Sequence, residues 1–276
     1  MRQIVWQRFY ERMSRCSCWM HESFVAVLSS GSCGNSTLIS SPESALLIDA
    51  GISCRELERR LAAFGEEPSR IDAVLLTHEH TDHNRGARRF CRVHGVPLYG
   101  TSGTLALTPH DGGDVVEISA EEGFSVGDIA IHPFPVKHLA AEPVAFSLGI
   151  NGAKVSVASD LGCLTDRVIR EMSGSDLLMI EANYDVDMLD NGSYPEFLKK
   201  AIQSDHGHLS NDSAGNLCTR VMCDRLKEIV LLHLSRDNNR LDLARDTVNS
   251  RLAEAAAKVQ VTPTEHGSQN GPFRLG

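Results

Sequence analysis

The chain reads Thr77-His78-Glu79-His80-Thr81-Asp82-His83 directly after the apolar run that begins at Ile71. Three histidines and an aspartate therefore stand within six residues, at the end of a segment typical of a buried strand. Neutral imidazole and carboxylate are usual ligands of zinc, iron and manganese. The first two histidines alternate with a glutamate and can face one point, while the aspartate and the last histidine can reach a second. The stretch predicts a metal-binding loop rather than a solvated turn that happens to be rich in histidine.

Further ligands are needed, because each ion requires more side chains than this loop supplies and positions that stay open to water and substrate. Candidates stand at the ends of three other predicted strands, at His138, Asp160 and His233. A single residue of this kind is usually a hydrogen-bonded core residue, but three of them at separate strand ends favour convergence. A carboxylate directly after a buried strand is costly unless it is paired or bound to a metal.

The composition is ordinary for a globular protein, with 42% apolar and 23% charged residues among 276. The formal net charge is 27 − 36 = −9, which excludes a strongly basic, histone-like nucleic-acid binder. No apolar run approaches the roughly 18–20 residues that a membrane span needs, so no membrane association is expected. The eight cysteines are scattered and include no C-x-x-C pair, which predicts a reducing, cytoplasmic location.

Strand-like and helix-like segments alternate from Phe24 onward, which predicts a layered α/β protein with helices outside two sheets. Residues 23–262 are expected to form one domain. Residues 1–22, with four arginines and two glutamates, are expected to be an N-terminal extension, and residues 263–276 a frayed polar tail. The sequence GSCGNS at Gly31–Ser36 lacks the spacing of a phosphate loop and predicts a tight turn near the site.

Together, these residues make the chain resemble the metallo-β-lactamase superfamily. The stretch from Thr77 to His83 matches the H-x-H-x-D-H motif of that superfamily, and the sequence IDAG at Ile48–Gly51 precedes it. The three candidates at later strand ends match the remaining motifs in order. The resemblance covers about residues 24–250 and implies an αββα sandwich, with a dinuclear metal site between the edges of the two sheets.

The resemblance also implies a role for each motif residue. One divalent ion would be held by His78, His80 and His138. The other would be held by Asp82, His83 and His233. Asp160 would bridge the two ions, and Asp49 would orient ligands through hydrogen bonds. Zinc and manganese both suit such ligands, and iron suits them too.

The chain is similar to the YycJ/WalJ-like group, which is related to tRNase Z and RNase J nucleases, in four further stretches: Gly31–Ser36, Glu181–Leu189, Gly207–Gly215 and His233–Asn239. The similarity to tRNase Z implies that His208 is a proton donor and that Glu181 is its partner. Asp82 could be read as a general base, but a carboxylate bound to a metal is a poor base, which favours the ligand role. Cys33 and Leu139 stand where the group commonly has Ser and Asp, and these departures leave the choice of substrate open.

The resemblance implies a metal-dependent hydrolase in which hydroxide formed at the dinuclear site attacks phosphorus in line. A phosphodiesterase or nuclease is the favoured activity, with an exonuclease acting on DNA as its specific form. The acidic net charge does not exclude a nucleic-acid substrate, because two metals would supply positive charge locally. The alternatives are a hydrolase of a small thioester, ester or lactone, as in glyoxalase II and lactonases, and a non-catalytic member, which the intact ligand set disfavours. A homodimer would be unsurprising.

Overall fold

The computed structural model describes residues 22–110, 113–253 and 258–276. The predicted N-terminal extension, residues 1–22, lies outside the described residues except for Glu22. Within the described residues, no helix is both long and apolar enough to cross a membrane.

The first half of the chain builds a seven-stranded sheet with the order β14-β1-β2-β3-β4-β5-β6. Its strands are β1 Ser23–Ser29, β2 Ser36–Ser40, β3 Ala45–Ile48, β4 Ile71–Leu75, β5 Leu98–Gly100, β6 Val115–Glu117 and the C-terminal β14 Asn270–Leu275. The helices of this half are α1 Cys54–Ala63, α2 Thr81–Asn84, α3 Ala87–His94 and α4 Ser102–Leu107, with a 3-10 turn at Pro68–Arg70.

The second half builds another seven-stranded sheet with the order β13-β12-β11-β10-β9-β8-β7. Its strands are β7 Phe124–Val126, β8 Ile129–Pro135, β9 Val144–Ile150, β10 Ala153–Ala158, β11 Leu177–Glu181, β12 Glu228–Leu232 and β13 Gln260–Pro263. Its helices are α5 Asp166–Met172, α6 Val186–Asn191, α7 Glu196–Ile202, α8 Asn211–Val221 and α9 Leu241–Leu252.

Side-chain alternation along the strands creates the layers. In β3, Leu46 and Ile48 join a core cluster that also contains Phe146 and Val230 of the other sheet, so this cluster fills the space between the sheets. Leu47 points to the opposite face and packs with residues of α1 and α3. A third cluster joins the outer face of the second sheet to α5, α8 and α9. The four layers are helix, sheet, sheet and helix, and the predicted αββα sandwich is confirmed.

The prediction of a frayed polar tail at residues 263–276 is wrong. Strand β14 pairs antiparallel with β1, with Ser23 opposite Leu275 and Val25 opposite Phe273. Phe273 is buried in the cluster between the sheets. The mainly polar composition around a short apolar alternation hid a strand whose partner lies about 250 residues away in sequence. Nonlocal pairing of this kind decides strand formation more than local composition does.

The fold brings the ends of many strands to one edge. Strands β3 and β4 are parallel in the first sheet, and β10, β11 and β12 are parallel in the second. Strand β8 runs in the same direction as β10, because both are antiparallel to β9. In such sheets, functional side chains gather at the carboxyl ends of the strands. Six polar residues follow or end these strands, at Asp49, His78, His138, Asp160, Glu181 and His233.

Candidate metal centre

Three imidazole rings meet at the end of β4 and beyond β8. His78 Nε2 lies 3.0 Å from His80 Nδ1, and His138 Nε2 lies 3.4 Å from the same atom. Burial lowers the pKa of His78 well below its ordinary value, and burial also lowers the pKa of His138. A neutral imidazole has a lone pair on one ring nitrogen. Lone pairs that face one another this closely repel, whereas a cation between them would be coordinated by all three rings.

A second group lies beside the first. Asp82 Oδ2 is 3.6 Å from both His83 Nε2 and His233 Nε2. Asp160 lies between the groups, with Oδ2 3.0 Å from His83 Nε2 and Oδ1 3.8 Å from His138 Nε2. The structure therefore brings together the seven residues predicted as ligands, with Asp160 between the two groups.

The charge of the second group also fits a cation. His233 Nε2 is buried and has no hydrogen-bond partner among the described residues. Burial alone would lower the pKa of His233, but Asp160, with Asp82 and Glu181, raises it to about 10. With its histidines neutral, the cluster therefore carries the uncompensated negative charge of its carboxylates. A metal ion can take the place of the proton that these carboxylates attract to His233.

The outer nitrogen of each ligand histidine meets an oxygen atom. His78 Nδ1 lies 2.9 Å from Thr77 Oγ1, His80 Nε2 lies 3.0 Å from Leu139 O, and His138 Nδ1 lies 3.0 Å from Gly207 O. His83 and His233 use carboxylates, Asp49 at 2.7 Å and Glu181 at 3.1 Å. Such bonds fix the ring orientation and leave the opposite nitrogen for a metal.

Asp49 ties the end of β3 to the ligand loop. Its Oδ1 accepts the backbone N–H of Thr77 at 2.8 Å, and its Oδ2 accepts from the Thr77 hydroxyl at 2.9 Å as well as facing His83 Nδ1. Asp49 is buried and adopts a positive φ of 61°, a conformation that Asp tolerates better than most residues. The aspartate thus holds both ends of the loop in place through hydrogen bonds.

His208 and Glu181 form a close pair at the edge of the cluster. His208 Nδ1 lies 2.6 Å from Glu181 Oε1, and the other carboxylate oxygen accepts the backbone N–H groups of Leu161 at 2.8 Å and Leu209 at 3.1 Å. Burial would raise the pKa of Glu181, but His208 and His233 lower it below its ordinary value. Burial would lower the pKa of His208, but Glu181 raises it. Each group therefore favours the charged form of the other.

Two residues of the site were not predicted from the sequence. Asn35 Nδ2 lies 3.0 Å from His83 Nε2 and 3.4 Å from Asp82 Oδ2, and its backbone N–H donates to Asp82 O at 2.7 Å. Thr77 belongs to the predicted motif, but no role was predicted for its hydroxyl, which links Asp49 to a ligand histidine. The Gly31–Ser36 turn does lie at the site, as expected, and the asparagine within it was the one available signal.

The cluster opens into a cavity of about 330 Å³. One part of its lining consists of His80, Asp82, Asp160, His208 and His233. A larger groove of about 700 Å³ runs along β8–β10, and its lining includes none of the predicted ligands. The smaller cavity is the candidate active site because the titratable groups converge there.

A family model described as a beta-lactamase superfamily domain matches residues 45–234. The chain belongs to that superfamily. The exodeoxyribonuclease WalJ of Streptococcus pneumoniae is 35% identical over 245 residues, which cover 86% of this chain and 90% of that protein. The exodeoxyribonuclease YycJ of Bacillus anthracis is 35% identical over 234 residues, covering 83% of this chain and 89% of that protein. The predicted resemblance to the YycJ/WalJ-like group is confirmed.

Solved structures share the fold of this superfamily member at lower identity. The metallo-beta-lactamase fold protein YhfI from Bacillus subtilis has a TM-score of 0.71 at 19% identity, covering 90% of this chain and 99% of that one. The short form of human tRNase Z has a TM-score of 0.61 at 19% identity, covering 91% and 99%. These likenesses concern the fold alone.

Proposed function

We propose that this protein is a metal-dependent exonuclease that hydrolyses phosphodiester bonds at the ends of DNA. The contact between His208 and Glu181 carries the proposal, because it holds an imidazole that can donate a proton beside the ligand cluster, the seven residues predicted as metal ligands, with Nδ1 3.7 Å from Asp160 Oδ1. Hydrolysis of a phosphodiester needs a proton on the leaving oxygen. The two relatives named above as exodeoxyribonucleases, which this chain matches over most of both lengths, support DNA as the substrate.

The ligand cluster is suited to two divalent ions. When bound, such ions acidify water and neutralise charge on a phosphate. The first three histidines would hold one ion, and Asp82, His83 and His233 would hold the other. Asp160 lies where it can contact both. The nitrogen-rich first group suits zinc, manganese and iron alike, and we propose zinc or manganese.

His208 would act as the general acid. Its Nδ1 is held by Glu181, so Nε2 is the nitrogen left to face the cavity. Glu181 would favour the charged form of His208 and orient its ring. The same carboxylate also lies 3.1 Å from His233 Nδ1. Asp82 would serve as a ligand rather than as a base, because its carboxylate lies between two ligand histidines.

The setting of the enzyme is part of the same proposal. All six cysteines within the described residues are free, which is consistent with a reducing compartment such as the cytoplasm. A homodimer would be compatible with the fold. A hydrolase of small thioesters, esters or lactones is the second candidate. The His208–Glu181 pair disfavours a thioester, because thiolate is a good leaving group that needs no strong acid. The similarity to the two exodeoxyribonucleases disfavours an ester or a lactone.

The test is a substrate panel with the purified, metal-loaded protein. End-labelled linear DNA, covalently closed circular DNA, end-labelled RNA, a thioester and a lactone are compared in the presence of Mn²⁺ or Zn²⁺. The proposal predicts release of nucleotides from linear DNA and no cut in circular DNA. Turnover of the thioester or lactone without degradation of DNA would contradict it.

A further inference from the structure

Two large apolar side chains stand in solvent beside the candidate active site. Leu139 is 76% exposed and Phe197 is 75% exposed, and they are the two most exposed of the large apolar side chains in the described part of the chain. Exposed apolar groups beside a functional cavity mark a surface that contacts a ligand. Their location therefore indicates that a ligand in the cavity contacts them.

The backbone of Leu139 is hydrogen-bonded beside the ligand cluster. It follows the ligand His138, its carbonyl faces His80 Nε2 at 3.0 Å, and its N–H donates to His206 O at 3.0 Å. The side chain lines the cavity, yet most of its surface is exposed. A rigid backbone that presents an apolar side chain to an open cavity forms a preorganised contact.

Helix α7 supplies the rest of an apolar wall. Leu198, Ala201 and Ile202 line the same cavity. Phe197 stands four residues before Ala201, so it lies on the same side of the helix, one turn away. The loop after this helix carries His206, whose carbonyl holds Leu139 in place. The wall formed by Leu139 and the α7 residues Phe197, Leu198, Ala201 and Ile202 is named the apolar wall.

The lining of the same cavity also includes ligand residues and His208, so it divides into charged residues and apolar residues. A nucleotide has the same division, with a charged phosphate and a base that has an apolar face. We propose that the apolar wall holds the nucleobase adjacent to the scissile phosphate, with Phe197 stacking on the base and Leu139 packing against it. This inference rests on the proposed function, because it requires a nucleic-acid substrate.

A recognised base predicts that loss of the base weakens the reaction. Base–aromatic stacking changes binding by roughly 1–3 kcal/mol, so we expect about a 10-fold difference in kcat/KM. The experiment compares a single-stranded oligonucleotide with two abasic versions. Each abasic version carries a tetrahydrofuran residue on one side of the first scissile phosphate. The enzymes are the wild type, Phe197→Ala, Leu139→Ala and the control Leu107→Ala, a residue 62% exposed on α4.

The wild type and the control should cleave the intact oligonucleotide about 10-fold more efficiently than one of the abasic versions. Phe197→Ala and Leu139→Ala should lose most of that preference, mainly through a higher KM for the intact oligonucleotide. Metal content and thermal unfolding of each variant, measured in parallel, detect a misfolded protein, and the wild-type preference by itself keeps the inference falsifiable.

Three results would overturn the inference. Equal cleavage of intact and abasic DNA by the wild type would refute base recognition and leave the exonuclease proposal standing. An altered oligomeric state in the variants with an unchanged base preference would assign the apolar wall to a protein contact. Absence of DNA cleavage by the wild type would overturn both the inference and the proposed function.

Discussion

Every ligand histidine has two ring nitrogens, and the hydrogen bond made by one nitrogen decides which one remains for the metal. In four of the five rings the outer atom is Nδ1, and in His80 it is Nε2. The acceptors differ in kind: a hydroxyl for His78, backbone carbonyls for His80 and His138, and carboxylates for His83 and His233. Because a carboxylate raises the basicity of the ring that it holds, the two carboxylate partners should matter most.

Asp49→Asn tests that reasoning. The amide keeps the shape and tolerates the positive φ, but it removes the charge that faces His83 Nδ1. We expect metal affinity to fall by about 10–100-fold, as measured by competition with a chromogenic chelator. The exposed Asp246→Asn serves as the matched control. Unchanged affinity in Asp49→Asn would show that this carboxylate does not support the site.

His208→Ala tests the general acid through the leaving group. We expect DNA hydrolysis to fall by about 10²–10⁴-fold, because the leaving oxygen of a nucleotide needs a proton. Hydrolysis of bis-p-nitrophenyl phosphate, whose leaving group departs as a stable anion, should fall much less. Metal content should stay that of the wild type. Equal losses on the two substrates would refute the acid role.

At the scale of elements, the Gly31–Ser36 turn and the ligand loop are held together by backbone contacts. Asn35 N–H donates to Asp82 O at 2.7 Å, and Gly51 N–H donates to Asn35 O at 2.8 Å. The approach leaves no space for a side chain, because a Cβ at Gly51 would lie 1.7 Å from Asp82 O. The position of Asp82 in the second group of ligands thus depends on Gly51, which itself has no functional side chain.

Gly51→Ala should therefore weaken both the fold and the site. We expect a loss of about 1–3 kcal/mol in the free energy of unfolding, together with weaker metal binding, since the backbone of Asp82 must move. Urea denaturation and metal titration measure the two effects. The control is Gly113→Ala, where an added Cβ meets nothing within 4 Å. A Gly51→Ala protein with wild-type metal affinity would contradict this account of the loop.

Strand β14 should contribute to stability, contrary to the composition of its segment. Phe273→Ala removes a ring buried between the sheets, and we expect it to cost about 3–5 kcal/mol in the free energy of unfolding. Arg274→Ala alters the exposed neighbour that pairs with Glu22 at 2.9 Å, and it should cost less than about 1 kcal/mol. Equal, small losses in urea denaturation would indicate that the edge strand is dispensable.

At the scale of the whole molecule, the sequence predicted those site residues that directly follow a strand. The predicted ligands each follow an apolar run, and parallel strands bring such ends to one edge. The contact of Asn35 with His83 could not be foreseen, because it joins residues 48 apart through a close backbone approach. The apolar wall was equally hidden, because exposed Leu139 and Phe197 have no periodic pattern that separates them from ordinary surface residues.

Net charge also has a different meaning in the folded molecule. The chain carries −9 by sequence, and two divalent ions would bring it to about −5 with the added charge inside the cavity. Asp49, Asp82 and Asp160 lie in or beside the ligand cluster rather than on the outer surface. The acidic composition is therefore compatible with a nucleic-acid substrate that meets the protein at this cavity.

The most direct test of the account is a metal titration of activity. The protein is stripped with a chelator, and the release of nucleotides from end-labelled linear DNA is measured as Mn²⁺ or Zn²⁺ is added stepwise. The account predicts no release from the stripped protein and a rate that rises until about two ions are bound per chain. Degradation of DNA by the stripped protein, or a folded protein that binds no ion, would contradict it.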